Sequence, residues 1–334
     1  MTSTQPVCIE DKAFDASSLM RKFPPKFTNG HKRAVFDAVG GVDACAESSL
    51  LYSRWKAGQL PATWEPSTRP CESVGRSGVF EYDHDPTETH KTHWYLNFAD
   101  PELFGYYGGG LLAQDELQVF EHPILGSLRQ AILDASGTAR TVEADEPTPV
   151  LVEDAERRIA FDTMPKAADG RPEGLYGNRF SAADRDTVLA AYTQPDPPTF
   201  SNILAIAAPP GGRGTYSESD IRFILTTAYC GFAAATLRSR GDRANQNVVI
   251  HTGFWGCGAF GGNRVLTPAL QLIAADLAGV NRMIFYAFDE AGAAQFEDAK
   301  TLRKQFASSG PVPMEELIRS LAEKAFPWGI GDGN

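Results

Sequence analysis

Residues 106–118 of the 334-residue chain read YYGGGLLAQDELQ. Two acids, Asp115 and Glu116, stand side by side after Gln114, and a short spacer separates them from Gly108, Gly109 and Gly110. A carboxyl group placed beside a scissile C–O bond can protonate the departing oxygen and then activate a water. The acids open a segment of helical character that runs into LQVFEH. Neighbouring positions on a helix project about 100° apart. One acid can therefore face a ligand while the other bonds a sugar hydroxyl or caps the helix. Ordinary first-turn acids, favoured by the helix dipole, fit the same positions. Three consecutive glycines are costly to order, because glycine loses the most backbone freedom on folding.

A second glycine-rich segment, GCGAFGGN, spans residues 256–263. Gly256, Cys257, Gly258, Ala259, Phe260 and Gly261 lie just ahead of a predicted helix. Small residues let backbone N–H groups approach an anion, and a helix N-terminus favours negative charge, so the segment suits a diphosphate. It equally suits a tight loop leading into a helix. It lacks the lysine of a phosphate-binding loop and the acidic ribose anchor of a dinucleotide fingerprint. Phe260 can press on a sugar face or anchor the core. Phe288 ends an apolar run and can stack on a base or finish the core. Cys257 sits where a helix start would lower its pKa, but the sequence pairs it with no histidine or acid. His84, His90 and His93 lie among acids in DHDPTETHKTH without a zinc spacing. No metal site is expected.

Composition bounds the setting. Apolar residues make up 43% of the chain and charged residues 22%, close to a globular average. No apolar run reaches the roughly eighteen residues of a membrane span, and the N-terminus has no basic-then-apolar leader pattern. The five cysteines are odd in number and scattered, which points to a reducing, intracellular and cytoplasmic setting. A net charge of -11 argues against nonspecific nucleic-acid binding.

The elements that must position these residues follow from periodicity. Residues 15–60 are expected to be helical with breaks, including DACAESSLLYSRWKAG, with a loop through Pro24–Gly30. The segment 61–78 reads as a surface connection, GVFEY (78–82) as a short strand, and the polar stretch after it as a hairpin loop. HWYLNF (93–98), NILAIAA (202–208), NVVIHT (247–252) and RMIFYAF (282–288) read as strands. Residues 143–150 read as loop. Helices are expected after Ser217 or Ser219 to about Leu237, over RVLTPALQLIAADLAG, and near 294–308 and 314–325. This alternation predicts a three-layer α/β/α domain, with residues 1–75 as a helical accessory region packed on residues 76–334. Ligands in such sheets bind beyond the carboxyl ends of strands, and both glycine segments follow strands.

Together these segments resemble the poly(ADP-ribose) glycohydrolase family. LNFADPELFGYYGGGLLAQDELQVF is similar to the family's strand, triple glycine and Q-E-E signature. ILAIAA and AYCGF resemble a strand and the end of its helix, TGFWGCGAFGGN the second ligand loop, and MIFYAF the strand after it. These colinear blocks cover about 93–120 and 200–290; the first 75 residues and 130–195 are not matched by these blocks. The resemblance implies a macrodomain-type mixed sheet with helical additions and an ADP-ribosyl glycohydrolase activity, acting as a monomer on ADP-ribose or an ADP-ribosylated macromolecule, without metal or redox cofactor. It implies Glu116 as the catalytic acid and base, with Gln114 and Asp115 completing the signature and Asp115 on the terminal ribose. Asp100 takes the place of a ribose-binding asparagine. Gly108–Gly110 and Gly256–Gly261 would flank the diphosphate, with Phe260 on the ribose, Phe288 on the adenine and Glu81 at its amino group. The family usually keeps six to eight residues between glycines and glutamine; here only Leu111, Leu112 and Ala113 intervene. That deletion is expected to open the cleft beside the scissile bond and, together with Asp115 and Asp100, to change which acceptor group is accommodated. It leaves mono-ADP-ribose on a protein, an ADP-ribosylated nucleic acid, or a reader that binds ADP-ribose without hydrolysis as alternatives.

Overall fold

The computed structural model describes residues 4–66, 70–83, 87–241, 245–308 and 310–333. An eight-stranded mixed sheet forms its centre. In chain order its strands are β1 (Val7–Asp15), β2 (Ser49–Lys56), β3 (Glu72–Arg76) and β4 (Lys91–Ala99). They continue with β5 (Val150–Arg157), β6 (Thr199–Ala207), β7 (Asn247–Gly253) and β8 (Arg282–Tyr286). Across the sheet the order is β1-β2-β5-β6-β4-β7-β8-β3. The run β6, β4, β7, β8, β3 is parallel, while β1, β2 and β5 extend it antiparallel.

Alternation along the strands separates two cores. Trp94 and Leu96 of β4 and Leu204 and Ile206 of β6 face one layer; Tyr95, Ile203 and Ala205 face the other. The first layer contains α5 (Glu218–Arg240), α6 (Leu266–Leu277), α7 (Glu290–Ala307) and α8 (Met314–Glu323). The second contains α1 (Ala16–Lys22), α2 (Gly30–Ala38), α3 (Gln114–Glu121) and α4 (Pro123–Asp134). Ser217 opens α5 with a reciprocal capping box: its hydroxyl accepts from Asp220 N–H and the Asp220 carboxylate accepts from Ser217 N–H. Gly231 then lets α5 lie on the sheet, since a Cβ there would stand 2.9 Å from the Ile206 side chain.

Strands β4, β6, β7 and β8, α3 and the four helices of the first layer follow the pattern expected from sequence; β1 and β5 were not expected. The N-terminal part departs from that pattern. Its helical reading holds for α1 and α2, but DACAESSLLYSRWKAG contains β2. There Leu50 and Tyr52 face the core of the second layer and Trp55 the core of the first, a period of two. Pairing with β1 and β5 fixes that period. With β1 and β3 also in the sheet, residues 1–75 are not a helical accessory region but supply sheet strands. GVFEY is likewise not a strand; β3 precedes it, inside the expected surface connection, and Gly78 forms an isolated bridge to Phe288.

Candidate active site at the carboxyl edge of the sheet

Four parallel strands deliver the candidate residues to one edge. The Asp100 to Glu116 segment follows β4, residues 254–263 follow β7, Phe288 follows β8 and Glu81 follows β3. The start of α3 is pinned to β4 by Gln114. Its Oε1 accepts from Phe98 N–H at 2.7 Å, and its Nε2 donates to Leu96 O at 3.0 Å. Gln114 thus extends the sheet's hydrogen bonding and fixes where the next two side chains go.

Both carboxyls are buried, Asp115 at 6% and Glu116 at 4% exposure. Asn97, fully buried on β4, donates to Asp115 Oδ1 at 3.0 Å. Glu116 Oε2 is buried and has no hydrogen-bond partner among the described residues. Burial pushes the pKa of Asp115 up, and the Glu116 charge pushes it further. Burial raises Glu116 as well; the N–H groups of Glu116 and Ala113, and the charge of Lys32, hold it down in part. Asp100 raises both, which places it beside the pair. Its own Oδ1 accepts from Glu102 N–H at 3.0 Å and forms the turn after β4.

Lys32, on α2, stands beside the candidate pair and was not singled out from the sequence. It is fully buried, and its Nζ donates to Tyr107 O at 2.8 Å and Leu111 O at 2.7 Å, the carbonyls on either side of the triple glycine. Burial lowers its pKa to about 8 against the opposing pull of Glu116 and Asp115. In the sequence GHKRAVFDA nothing separates it from a solvated helical lysine. Two of the three glycines also answer to the protein itself. A Cβ on Gly108 would stand 2.2 Å from Lys26 O, and one on Gly110 would stand 2.3 Å from Ser181 Oγ. Gly109 meets only Tyr106 O, at 3.5 Å.

The three-residue spacer does not leave a gap. Leu112 exchanges both backbone hydrogen bonds with Gly177, at 3.3 and 3.0 Å, so the 175–178 segment closes against it. Tyr176, which the sequence reading left unmatched, takes the Gln114 N–H on its hydroxyl beside the start of α3.

The second glycine loop folds back on itself, with Gly262 N–H to Gly256 O and Gly261 N–H to Gly258 O, both at 2.9 Å. The amides of Gly258, Ala259 and Phe260 donate to no backbone carbonyl among the described residues. The expected helix N-terminus is already capped: Asn263 Oδ1 accepts from Val265 and Leu266 N–H. Any anion-binding capacity here therefore rests on the loop amides rather than on the first turn of α6. Cys257 is buried, and burial raises its thiol to about 12, opposite to the lowering expected at a helix start. Phe260 is half-buried against the first-layer core. Residues 328–333 run over this loop. Gly329 N–H donates to Gly261 O at 2.7 Å, Asp332 N–H to Gly258 O at 3.4 Å, and Asn178 Nδ2 to Gly333 O at 2.9 Å.

Phe288 is 45% exposed and has a φ of +68°. A bulky residue in left-handed backbone is strained, and such strain gathers at functional sites. Glu81 is ion-paired to Arg76. Of the histidines, His93 lies on β4 with its Nδ1 2.9 Å from His251 Nε2, and His84 lies outside the described residues. Among the described residues no group of three or more His, Cys, Asp or Glu side chains is arranged to hold a metal ion, and no helix is long and apolar enough to cross a membrane.

A family model described as poly(ADP-ribose) glycohydrolase, macro domain fold, matches residues 176–295. No curated protein matches the chain. Among solved structures, the chain is similar to poly(ADP-ribose) glycohydrolase from Thermomonospora curvata, at 16% identity. That match covers 88% of this chain and 85% of that one, with a TM-score of 0.45. Poly(ADP-ribose) glycohydrolase from Deinococcus radiodurans, in complex with ADP-ribose, matches at 15% identity over 70% of this chain and 88% of that one, with a TM-score of 0.40. The family match spans β6 to β8, the second glycine loop and Phe288, and over those residues the chain is similar to the poly(ADP-ribose) glycohydrolase macro domain fold.

Proposed function

We propose that this chain is an ADP-ribosyl glycohydrolase that uses Glu116 as its acid and base. The observation that carries this reading is the buried Glu116 carboxyl, with one oxygen unpartnered among the described residues, at the sheet edge where ligands of α/β folds bind. The similarity of residues 176–295 to the poly(ADP-ribose) glycohydrolase macro domain supports the substrate class, ADP-ribose joined through its terminal ribose.

The raised pKa of Glu116 favours the protonated acid. It donates that proton to the oxygen leaving the anomeric carbon, and the resulting carboxylate removes a proton from the incoming water. Asp115, oriented by Asn97, accepts from a ribose hydroxyl. The glycine loops hold the diphosphate, with the amides of Gly258, Ala259 and Phe260 as its donors, and Phe288 offers its exposed ring to the adenine, with Glu81 nearby. Asp100 adds negative charge beside the ribose. The protein acts as a monomer in a reducing, cytoplasmic setting, a reading its five free cysteines support. Incubation with poly(ADP-ribose), mono-ADP-ribosylated protein and ADP-ribosylated nucleic acid, in parallel, tests the reading. Release of ADP-ribose from at least one supports it and identifies the acceptor. ADP-ribose binding without release from any of the three overturns it in favour of a reader.

A further inference from the structure

We propose that Lys32 is a positioning residue of this site, holding the shortened glycine loop and supplying the positive charge that faces Glu116. The proposal rests on the glycohydrolase reading above and adds a residue from a helix outside the matched family segments. Lys32 is fully buried, and its ammonium joins Tyr107 O and Leu111 O, so one side chain closes both ends of the Gly108–Gly110 run. The loop has only three residues before Gln114, and Leu111 is one of them. The position of α3 therefore follows from where Lys32 holds Leu111. The placement is fixed from below as well. Asn29 Oδ1 accepts from His31 and Lys32 N–H and opens α2, while Thr28 and Asn29 N–H donate to Gly108 O at 2.9 Å.

A buried lysine joined only to neutral carbonyls is poorly compensated; carboxylates close by explain why its charge is tolerated. The groups facing Glu116 are Lys32 from α2, Asp115 from α3, Asp100 from the end of β4 and Tyr176 from the 175–178 segment. Lys32 is the cation of this set. Its removal leaves only the N–H groups of Glu116 and Ala113 to oppose the rise that burial and Asp100 cause in the Glu116 pKa.

Two variants separate the roles. K32Q keeps a donor for the loop carbonyls and removes the charge; K32R keeps the charge and changes the reach. The readouts are kcat and KM against pH for ADP-ribose release, with calorimetric binding of ADP-ribose alongside. K32Q is expected to move the alkaline limb of kcat, where the protonated acid is lost, upward by roughly half to one pH unit. K32R is expected to keep that limb and raise KM several-fold. A K32Q limb at the wild-type pH overturns the proposal, as does a K32R variant with wild-type KM, or failure of both variants to fold, which assigns Lys32 a structural role alone. If the wild type releases no ADP-ribose, the glycohydrolase reading fails; the Lys32 proposal then fails only if K32Q and K32R both bind ADP-ribose as the wild type does at every pH.

Discussion

Glu116 combines three properties that conflict in a residue kept for stability alone: burial, an oxygen without a partner among the described residues, and an acidic neighbour. Its folded pKa lies above its unfolded value of about 4.3. Its contribution to stability is therefore fully present below that value and is lost as pH rises through the folded pKa. Glutamine resembles the protonated form and carries no charge to desolvate. E116Q is expected to melt with the wild type near pH 4 and to be more stable at pH 8, on the order of 1 kcal/mol, as read by thermal melts across pH. A variant less stable than the wild type at pH 8 contradicts this account. Asp115 and Asn97 show what a single sequence can convey at this scale. The acid pair was legible because adjacent carboxyls after a glycine run are unusual. The partners that tune it, Asn97 and Lys32, were not, because a strand's inward asparagine and a helix's lysine acquire meaning only through contacts 18 and 84 residues away in sequence.

At the scale of elements, the triple glycine serves two purposes that substitution can separate. G108A places a Cβ 2.2 Å from Lys26 O, a backbone atom that cannot turn aside. It is expected to lose about 2 kcal/mol or more in urea unfolding. G109A meets only an ordinary contact at 3.5 Å and is expected to stay within about 1 kcal/mol of wild type, while weakening ADP-ribose binding if this glycine lies against the diphosphate. Equal stability losses in the two variants would contradict the division. Of the strands that carry the site, β4, β7 and β8 were legible from their apolar runs, since parallel strands covered on both faces read as continuous hydrophobic segments, and β3, with its polar ESVGR, was not. Nor was β2. Its apolar residues also fit a helical repeat, and only pairing with β1 and β5 resolves the ambiguity. The 175–178 segment carries no periodic signal at all, yet Gly177 locks the spacer and Tyr176 abuts α3.

At the scale of the whole molecule, residues 328–333 and the proposed diphosphate meet the same loop. Trp328 stacks on Tyr216 at 3.9 Å between ring centroids and anchors the segment, and the residues beyond it lie on Gly258 and Gly261. A chain ending at Trp328 keeps the anchor and frees the loop. It is expected to bind ADP-ribose several-fold more tightly by calorimetry, because the ligand no longer displaces those hydrogen bonds; unchanged affinity would place the ligand elsewhere. The proposed activity of the whole molecule depends on one group, Glu116, doing chemistry at the carboxyl edge of the sheet. Its most direct test compares wild type and E116Q for release of ADP-ribose from poly(ADP-ribose), with ADP-ribose binding measured on both. The account predicts a loss of kcat by a factor of roughly 10² to 10⁴ with binding retained. Turnover by E116Q at the wild-type rate would contradict it.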